Sequence, residues 1–269
     1  MIPKVIHYVW FGGKPLGDFE KKCIESWKKF LPDYKIICWD ENNFDIESNA
    51  YCFEAYQNKK WAFASDYVRL WALVKYGGIY MDTDVEVIGS LDSFLSLKAF
   101  AGFESETTIA TGILGSEANH PAFRDLLSSY DNRHFMLSDG SMDLTTNVTV
   151  FTDFLRARGL IQENILQTVS GITLYPCEFF CPKSYSSGML QITDNSVAIH
   201  HFNGSWVDDD SRSISEFKYK IIRHFPFIPI KIAGLISCLY FCYEHKSLSQ
   251  LNHYFKRYLN DKNNRFVKK

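Results

Sequence analysis

Residues 61–88, WAFASDYVRLWALVKYGGIYMDTDVEVI, decide how the chain is read. From Ala62 to Lys75, the residues Phe63, Tyr67, Leu70, Trp71 and Val74 recur at helical spacing and give a broad apolar face. Gly77-Gly78 ends that helix, where a left-handed backbone suits glycine. Ile79-Tyr80-Met81 enters a strand, Asp82-Thr83-Asp84 interrupts it, and Val85, Val87 and Ile88 continue it. Carboxylates inside an apolar run are costly unless something compensates them. A strand that ends or bends there can bring Asp82 and Asp84 toward one cation. Oxygen ligands suit a hard divalent ion such as Mg²⁺ or Mn²⁺, which also binds substrate phosphates. A solvated acidic strand end is the other reading of the triplet alone. Asp66 and Arg69 lie three apart, on one face of the preceding helix.

The flanking segments supply a sheet for this unit. Residues 3–11, PKVIHYVWF, read as a buried strand that stops at Gly12-Gly13. Residues 18–30 carry Phe19, Cys23, Ile24, Trp27 and Phe30 at helical spacing behind an N-cap at Asp18. Residues 34–39 form a second strand, and 40–43 its exit loop. Strand, helix and strand in this order open a βαβ unit, so an α/β fold is expected. Ligands bind at the carboxyl ends of strands in open α/β sheets. Trp10, Phe11 and Gly12 are therefore candidates to meet a nucleotide, with a core position for Trp10 equally open.

Further strands are expected at 99–103, 111–115 and 168–175, and helices from Pro121 and from Val148. Residues 196–201 form a short strand running into His200, His201, Phe202, Asn203, Gly204, Ser205 and Trp206. Adjacent histidines on a strand point to opposite faces, so at most one faces the site. A neutral imidazole would complete a carboxylate site for a metal. Gly204 and Ser205 offer donors suited to phosphate oxygens. One core and one exposed histidine is the plainer alternative.

The catalytic part is expected to span residues 1–206, with a helical appendage over 207–269. Residues 225–243 are apolar and aromatic; their helical part, from about Ile230, is too short for a comfortable membrane span and is interrupted by Lys231. Behind them come Lys246, Lys256, Arg257, Lys262, Arg265, Lys268 and Lys269. This is the pattern of an interfacial anchor on an anionic membrane, or of a helical cap with a basic tail.

The 269 residues are 46% hydrophobic and 16% aromatic, enough for a packed core. A net charge of −2 provides no basic field for nucleic acid. Seven scattered cysteines suggest reduced thiols and a cytosolic setting. Cys177/Cys181 and Cys238/Cys242 have i,i+4 spacing, but flanking prolines and an apolar helix argue against zinc. The N-terminus lacks the pattern of a signal peptide. The expected location is cytoplasmic, peripheral on the inner face of the plasma membrane if the anchor reading holds.

Three separated stretches resemble one family. IPKVIHYVWFGG is similar to its first strand, FASDYVRLWALVKYGGIYMDTDV to its central motif, and AIHHFNGSW to its C-terminal element. The family is the family 32 glycosyltransferases, the DXD-motif sugar-binding group of capsule and lipopolysaccharide synthesis, distantly like the glucosylating clostridial toxins. The resemblance implies a GT-A fold, a Rossmann-like nucleotide-binding domain with a mixed central sheet. It implies a nucleotide diphosphate sugar donor (uridine diphosphate first), Mn²⁺ or Mg²⁺, transfer with retention, and a glycan or lipid-linked oligosaccharide acceptor in surface polysaccharide synthesis. Carried over by position, Asp82 and Asp84 hold the metal and Asp82 also meets the donor. Asp66 and Arg69 hold sugar hydroxyls and diphosphate, and Trp10 stacks near the base. His201 is the C-terminal metal ligand, with His200 as fallback, and Ser205 and Trp206 contact the β-phosphate. Relatives carry Thr-Gly-Pro where this chain has Thr146-Asn147-Val148. The rivals are a metal-dependent nucleotide-sugar hydrolase or phosphohydrolase and a non-catalytic carbohydrate-binding protein.

Overall fold

The structure is a computed structural model, and it describes residues 1–203 and 209–244. The chain divides into two compact units. The first holds Met1–Pro182 and Gln191–Asn203, the second Lys183–Leu190 and the chain from Gly204 on.

In the first unit the expected βαβ opening is present as strand β1 (Val5–Val9), helix α1 (Asp18–Phe30) and strand β2 (Lys35–Trp39). Helix α2 (Ala50–Gln57) leads into helix α3 (Trp61–Tyr76), and strand β3 (Gly78–Met81) follows. Strand β4 (Val85–Val87), strand β5 (Ala99–Gly102) and strand β6 (Ile113–Ser116) come next. Helices α4 (Pro121–Ser128) and α5 (Asn147–Arg156) precede strands β7 (Gln167–Val169) and β8 (Ile172–Tyr175). A short helix α6 (Cys177–Phe180) and strand β9 (Ala198–His200) complete the unit.

Seven strands make one mixed sheet in the order β2-β1-β3-β6-β5-β8-β7. β1 runs parallel to both β2 and β3, while β6 is antiparallel to β3 and β5. This is the α/β architecture with a mixed central sheet that the sequence leads one to expect. One apolar core packs α2, α3, α4 and α5 on the sheet, and a second lies around Trp27 of α1 and Phe94, Phe100 and Phe180.

Helix α3 ends where the sequence says it should. Gly77 and Gly78 both have positive φ, and a Cβ on Gly77 would lie 2.7 Å from the Ala118 nitrogen. The chain can therefore reverse directly from helix into the central strand β3, which only glycine permits at that spacing.

The strand expected to continue through Ile88 does not. β3 stops at Met81, and Val85–Val87 leaves the large sheet to pair with β9 in a two-stranded ribbon, Val85 opposite His200. The Asp82 carbonyl accepts the Val85 N–H at 3.0 Å, so Asp82-Thr83-Asp84 is a turn between two sheets. Helix α1 fixes the ribbon from below. Buried Trp27 donates its indole N–H to the Val85 carbonyl at 2.7 Å, and the Ser26 hydroxyl accepts the Val87 N–H.

The second unit contains helices α7 (Asp209–His224) and α8 (Ile230–Glu244), packed through Ile214, Cys238, Phe241 and Cys242. Phe217 and Tyr240 stack at 4.2 Å, and the Tyr219 hydroxyl donates to the Tyr185 carbonyl. No described helix is long and apolar enough to cross a membrane. The basic residues from Lys246 on lie outside the described residues.

Candidate active site and metal site

The Asp82 amide donates to the Gly112 carbonyl at 2.8 Å, which ties the turn to the segment entering β6. One Asp82 carboxylate oxygen, Oδ1, accepts the Tyr80 hydroxyl at 2.8 Å and lies 3.2 Å from Arg69 Nη1. Its Oδ2 is left on the side of His200, 4.0 Å from Nε2. Asp84 is arranged in the same way. Its Oδ2 accepts the Asn203 N–H at 2.8 Å, and its Oδ1 lies 3.3 Å from His200 Nε2. Each carboxylate thus spends one oxygen on fixing itself and turns the other toward one point. Among the described residues, Asp82, Asp84 and His200 are the group able to hold a metal, their ligand atoms all within 4.8 Å of one another.

The sequence expectation placed His201 at the metal. The structure turns His200 there instead. His200 pairs with Val85 across the ribbon, and its neighbour takes the other face. His201 Nε2 is 2.8 Å from Glu86 Oε2, and its ring meets Phe19 edge-on.

The electrostatics bind Asp84 and His200 into a charge pair. Burial works against ionised Asp84, but the His200 charge and the hydrogen bonds from His200 and Asn203 outweigh it, so its pKa is lowered. Burial likewise opposes a charged imidazole, and Asp84 overrides it, raising His200 well above its ordinary value. A divalent cation fits here in place of the imidazole proton, since metal binding to such a site releases protons. The donor set, two carboxylate oxygens and one imidazole nitrogen, suits a divalent ion such as Mn²⁺ or Mg²⁺. The cradle itself depends on Gly112: a Cβ there would come 2.8 Å from His200 Cε1 and 3.2 Å from Asp82 Oδ2.

Asp66 and Arg69 lie one step deeper, both buried on α3. The Arg69 guanidinium donates from Nη2 to Asp66 Oδ1 at 2.9 Å and from Nη1 to the Thr111 carbonyl at 2.8 Å. It also lies over the Tyr80 ring, 4.5 Å from the centroid. Burial pushes the Asp66 carboxyl up to about 7 in spite of Arg69 beside it. For Arg69 burial opposes the charge, yet Asp82, Tyr80 and Asp66 outweigh it and raise its pKa. The Arg69 Nε is buried without a hydrogen-bond partner among the described residues. Both residues border a cavity that Thr111, Tyr130 and Asn147 also line.

The remaining expected residues divide three ways. Trp10 is half-buried at the end of β1, its indole N–H donating to the Lys14 carbonyl at 2.6 Å. Gly12, with φ +91°, lies flat on the Trp61 ring, its absent Cβ position 2.9 Å from Cε2. Phe11 is a correction: its side chain is buried in the core, edge-on to Tyr56, so only its backbone borders the turn. Ser205 and Trp206 lie outside the described residues.

Sequence reasoning missed Tyr80, Gly112 and Asn203. Tyr80 stands two residues before Asp82, on its own side of the strand, which was a readable signal. Gly112 gave none, because its role depends on how β6 approaches the turn, and Asn203 stood out only as a member of the His-Phe-Asn-Gly stretch, with no sign of its contact to Asp84.

Residues 17–101, about a third of the chain, match the sequence model described as glycosyltransferase sugar-binding region containing DXD motif. That span includes Asp66, Arg69, Asp82 and Asp84. A mannosyl phosphorylinositol ceramide synthase of Saccharomyces cerevisiae is 31% identical over 146 residues, which is 51% of this chain and 37% of that protein. An uncharacterised glycosyltransferase of Acanthamoeba polyphaga mimivirus is 28% identical over 226 residues, 75% of this chain and 85% of that one. The chain thus spans well under half the length of the yeast relative and most of the viral one. Among solved structures, PaToxG glycosyltransferase aligns over 58% of this chain and 68% of its own, at 21% identity and a TM-score of 0.46.

Proposed function

We propose that this protein is a glycosyltransferase that moves a hexose from a nucleotide diphosphate sugar to a glycan or lipid-linked acceptor. The observation that carries the reading is the single connected arrangement of Asp66, Arg69, Asp82, Asp84 and His200. A buried guanidinium joins the carboxylates of Asp66 and Asp82 on one side of it, and an imidazole faces the acidic turn on the other. The match to the DXD glycosyltransferase model supports it.

The chemistry follows from the charges. The leaving group is a nucleoside diphosphate, whose developing charge needs cations fixed in advance. A bound divalent ion held by Asp82, Asp84 and His200 would neutralise part of that charge. Arg69 is held by Asp66, Asp82 and the Thr111 carbonyl, so no reorganisation is needed as the diphosphate departs. Asp66, buried and raised toward neutrality, is suited to hydrogen-bond sugar hydroxyls. We assign transfer with retention, the acceptor hydroxyl attacking on the face the diphosphate leaves. A trapped glycosyl-enzyme adduct would overturn that assignment.

On the family 32 resemblance we assign the reaction to surface polysaccharide synthesis, and the name of the yeast relative adds a lipid acceptor as a class to test. We also propose peripheral contact with an anionic membrane. Phe227, Ile232, Leu239 and Tyr243 of the second unit are exposed apolar side chains, and seven Lys or Arg follow in the sequence.

Incubation with Mn²⁺ and a panel of nucleotide sugars, with and without acceptors, tests the reading. A transferase releases nucleoside diphosphate and gives a glycosylated acceptor. A phosphohydrolase cleaves the diphosphate itself, and a binding protein releases nothing.

A further inference from the structure

One atom of the imidazole that faces the acidic turn is unaccounted for. His200 directs Nε2 at Asp84 and Asp82, and its Nδ1 is buried without a hydrogen-bond partner among the described residues. Nδ1 carries a proton in both states of the site, when Nε2 holds a proton against Asp84 and when Nε2 gives its lone pair to a metal. A buried N–H left unmatched is costly. A metal-binding histidine ordinarily donates it to a neighbour that fixes the tautomer and the orientation of the ring. Gly112 comes close to Nδ1, its absent Cβ position 2.9 Å away, but has no side chain to offer.

Cys181 does. Its thiol is buried, and it lies within hydrogen-bond reach of the His200 imidazole. Packing sets it there. Phe180, wholly buried at the end of α6, stacks on Phe100 at 5.5 Å and fills the space over Gly102, where a Cβ would lie 2.7 Å from its ring. The Cys181 N–H closes α6 on the Cys177 carbonyl at 2.7 Å, and the Val197 N–H donates to the Phe179 carbonyl at 2.9 Å. The segments that carry Cys181 and His200 are therefore tied together within three residues of each. Cys181 is outside the group able to hold the metal, so its sulfur acts on the ring and not on the ion.

We propose that Cys181 is a positioning residue of the metal site, its sulfur receiving the His200 Nδ1–H and holding the ring with Nε2 toward the ion. This rests on the metal reading of Asp82, Asp84 and His200.

Calorimetric titration of Mn²⁺ into the full chain and three variants tests it. Cys181→Ala weakens Mn²⁺ binding at least about tenfold, the loss expected when a ligand loses its outer partner. Cys181→Ser restores an atom that accepts the same N–H and brings the affinity back to within about threefold of the native chain. Cys52→Ala removes another wholly buried thiol, bonded to the Ala64 carbonyl at 3.6 Å, and leaves Mn²⁺ affinity as it was. A Cys181 that only fills space would give the alanine and serine variants the same affinity. Native affinity in Cys181→Ala, equal losses in Cys181→Ala and Cys181→Ser, or an equal loss in Cys52→Ala overturns the inference and leaves the metal site standing. A second measurement needs no variant. Nitrogen NMR of the native chain loaded with diamagnetic Mg²⁺ shows His200 protonated at Nδ1 and bare at Nε2, and the opposite tautomer overturns the inference. Failure of the native chain to bind either ion overturns both the inference and the metal reading.

Discussion

The decisive choice at the scale of single residues is between two neighbouring histidines. His200 Nε2 faces the acidic turn, and His201 Nε2 faces Glu86. His200→Ala should therefore weaken Mn²⁺ binding by at least about 10–100-fold, the range already seen when a metal site loses only an outer-shell partner, while His201→Ala should leave it within about twofold. Calorimetric titration of Mn²⁺ into both variants decides it. The pH dependence has a definite sign. His200 holds its proton above the ordinary imidazole range because of Asp84, and that proton must leave for a metal to bind. Mn²⁺ affinity should thus keep rising as pH increases beyond about 7, where a site built on an ordinary histidine would already have levelled off. Arg69 supplies a third test. Its fork spans Asp66, Asp82 and the Thr111 carbonyl together, which an ammonium cannot do. Arg69→Lys should lower kcat at least about a hundredfold, the loss typical of removing one preorganised charge-stabilising donor, with kcat followed by nucleoside diphosphate release.

Among the elements, helix α3, its glycine stop and strand β3 were legible because their signals are local: apolar period, then glycine, then an apolar run. The pairing of Asp66 with Arg69 was legible for the same reason, three residues being about one helical turn. The departure of β4 from the large sheet was not. Val85 and Val87 suit a continued β3 as well as a separate ribbon, and the partner that claims them, Ala198–His200, lies over a hundred residues away. The orientation of the two histidines depends on that register, so it too was hidden. In the second unit, Lys218 is a buried amine on α7, and burial lowers its pKa to about 7. The unfolded chain holds that proton up to about pH 10.5 and the folded chain only to about 7. The contribution of Lys218 therefore costs most below pH 7 and fades as pH rises toward 10.5. Lys218→Met should raise stability at neutral and acidic pH by up to a few kcal/mol on the order set by the shift, and the gain should shrink in alkaline buffer, as thermal melts across pH will show. The exposed face of α8 and the loop before it carry a separate test. Cosedimentation with vesicles containing anionic lipid should fall when Phe227 and Tyr243, 80% and 78% exposed, are both changed to Ser. Equal sedimentation of the double variant would refute membrane contact through this face.

In the first unit, the mixed α/β sheet sets β1 between β2 and β3, and the turn after β3 leads into the ribbon of β4 and β9 that carries the candidate site. Composition and pattern foretold the class of fold, since the apolar strands alternate with helices. They could not foretell Gly112 or Asn203, which matter only through contacts made across the sheet. The binding of donor nucleotide and Mn²⁺ should stabilise the folded chain by about 2.7 kcal/mol at a hundred times the dissociation constant, and more weakly once the acidic turn is damaged. The most direct test of the central claim is Mn²⁺-dependent release of nucleoside diphosphate from its preferred nucleotide sugar, compared between the native chain and Asp84→Asn. Asp84→Asn keeps an oxygen for the Asn203 N–H while removing the charge that would hold a metal. The account predicts release that needs Mn²⁺ in the native protein and falls at least about a hundredfold in the variant, with a native far-UV circular dichroism spectrum. Undiminished Mn²⁺-dependent release in Asp84→Asn would contradict it.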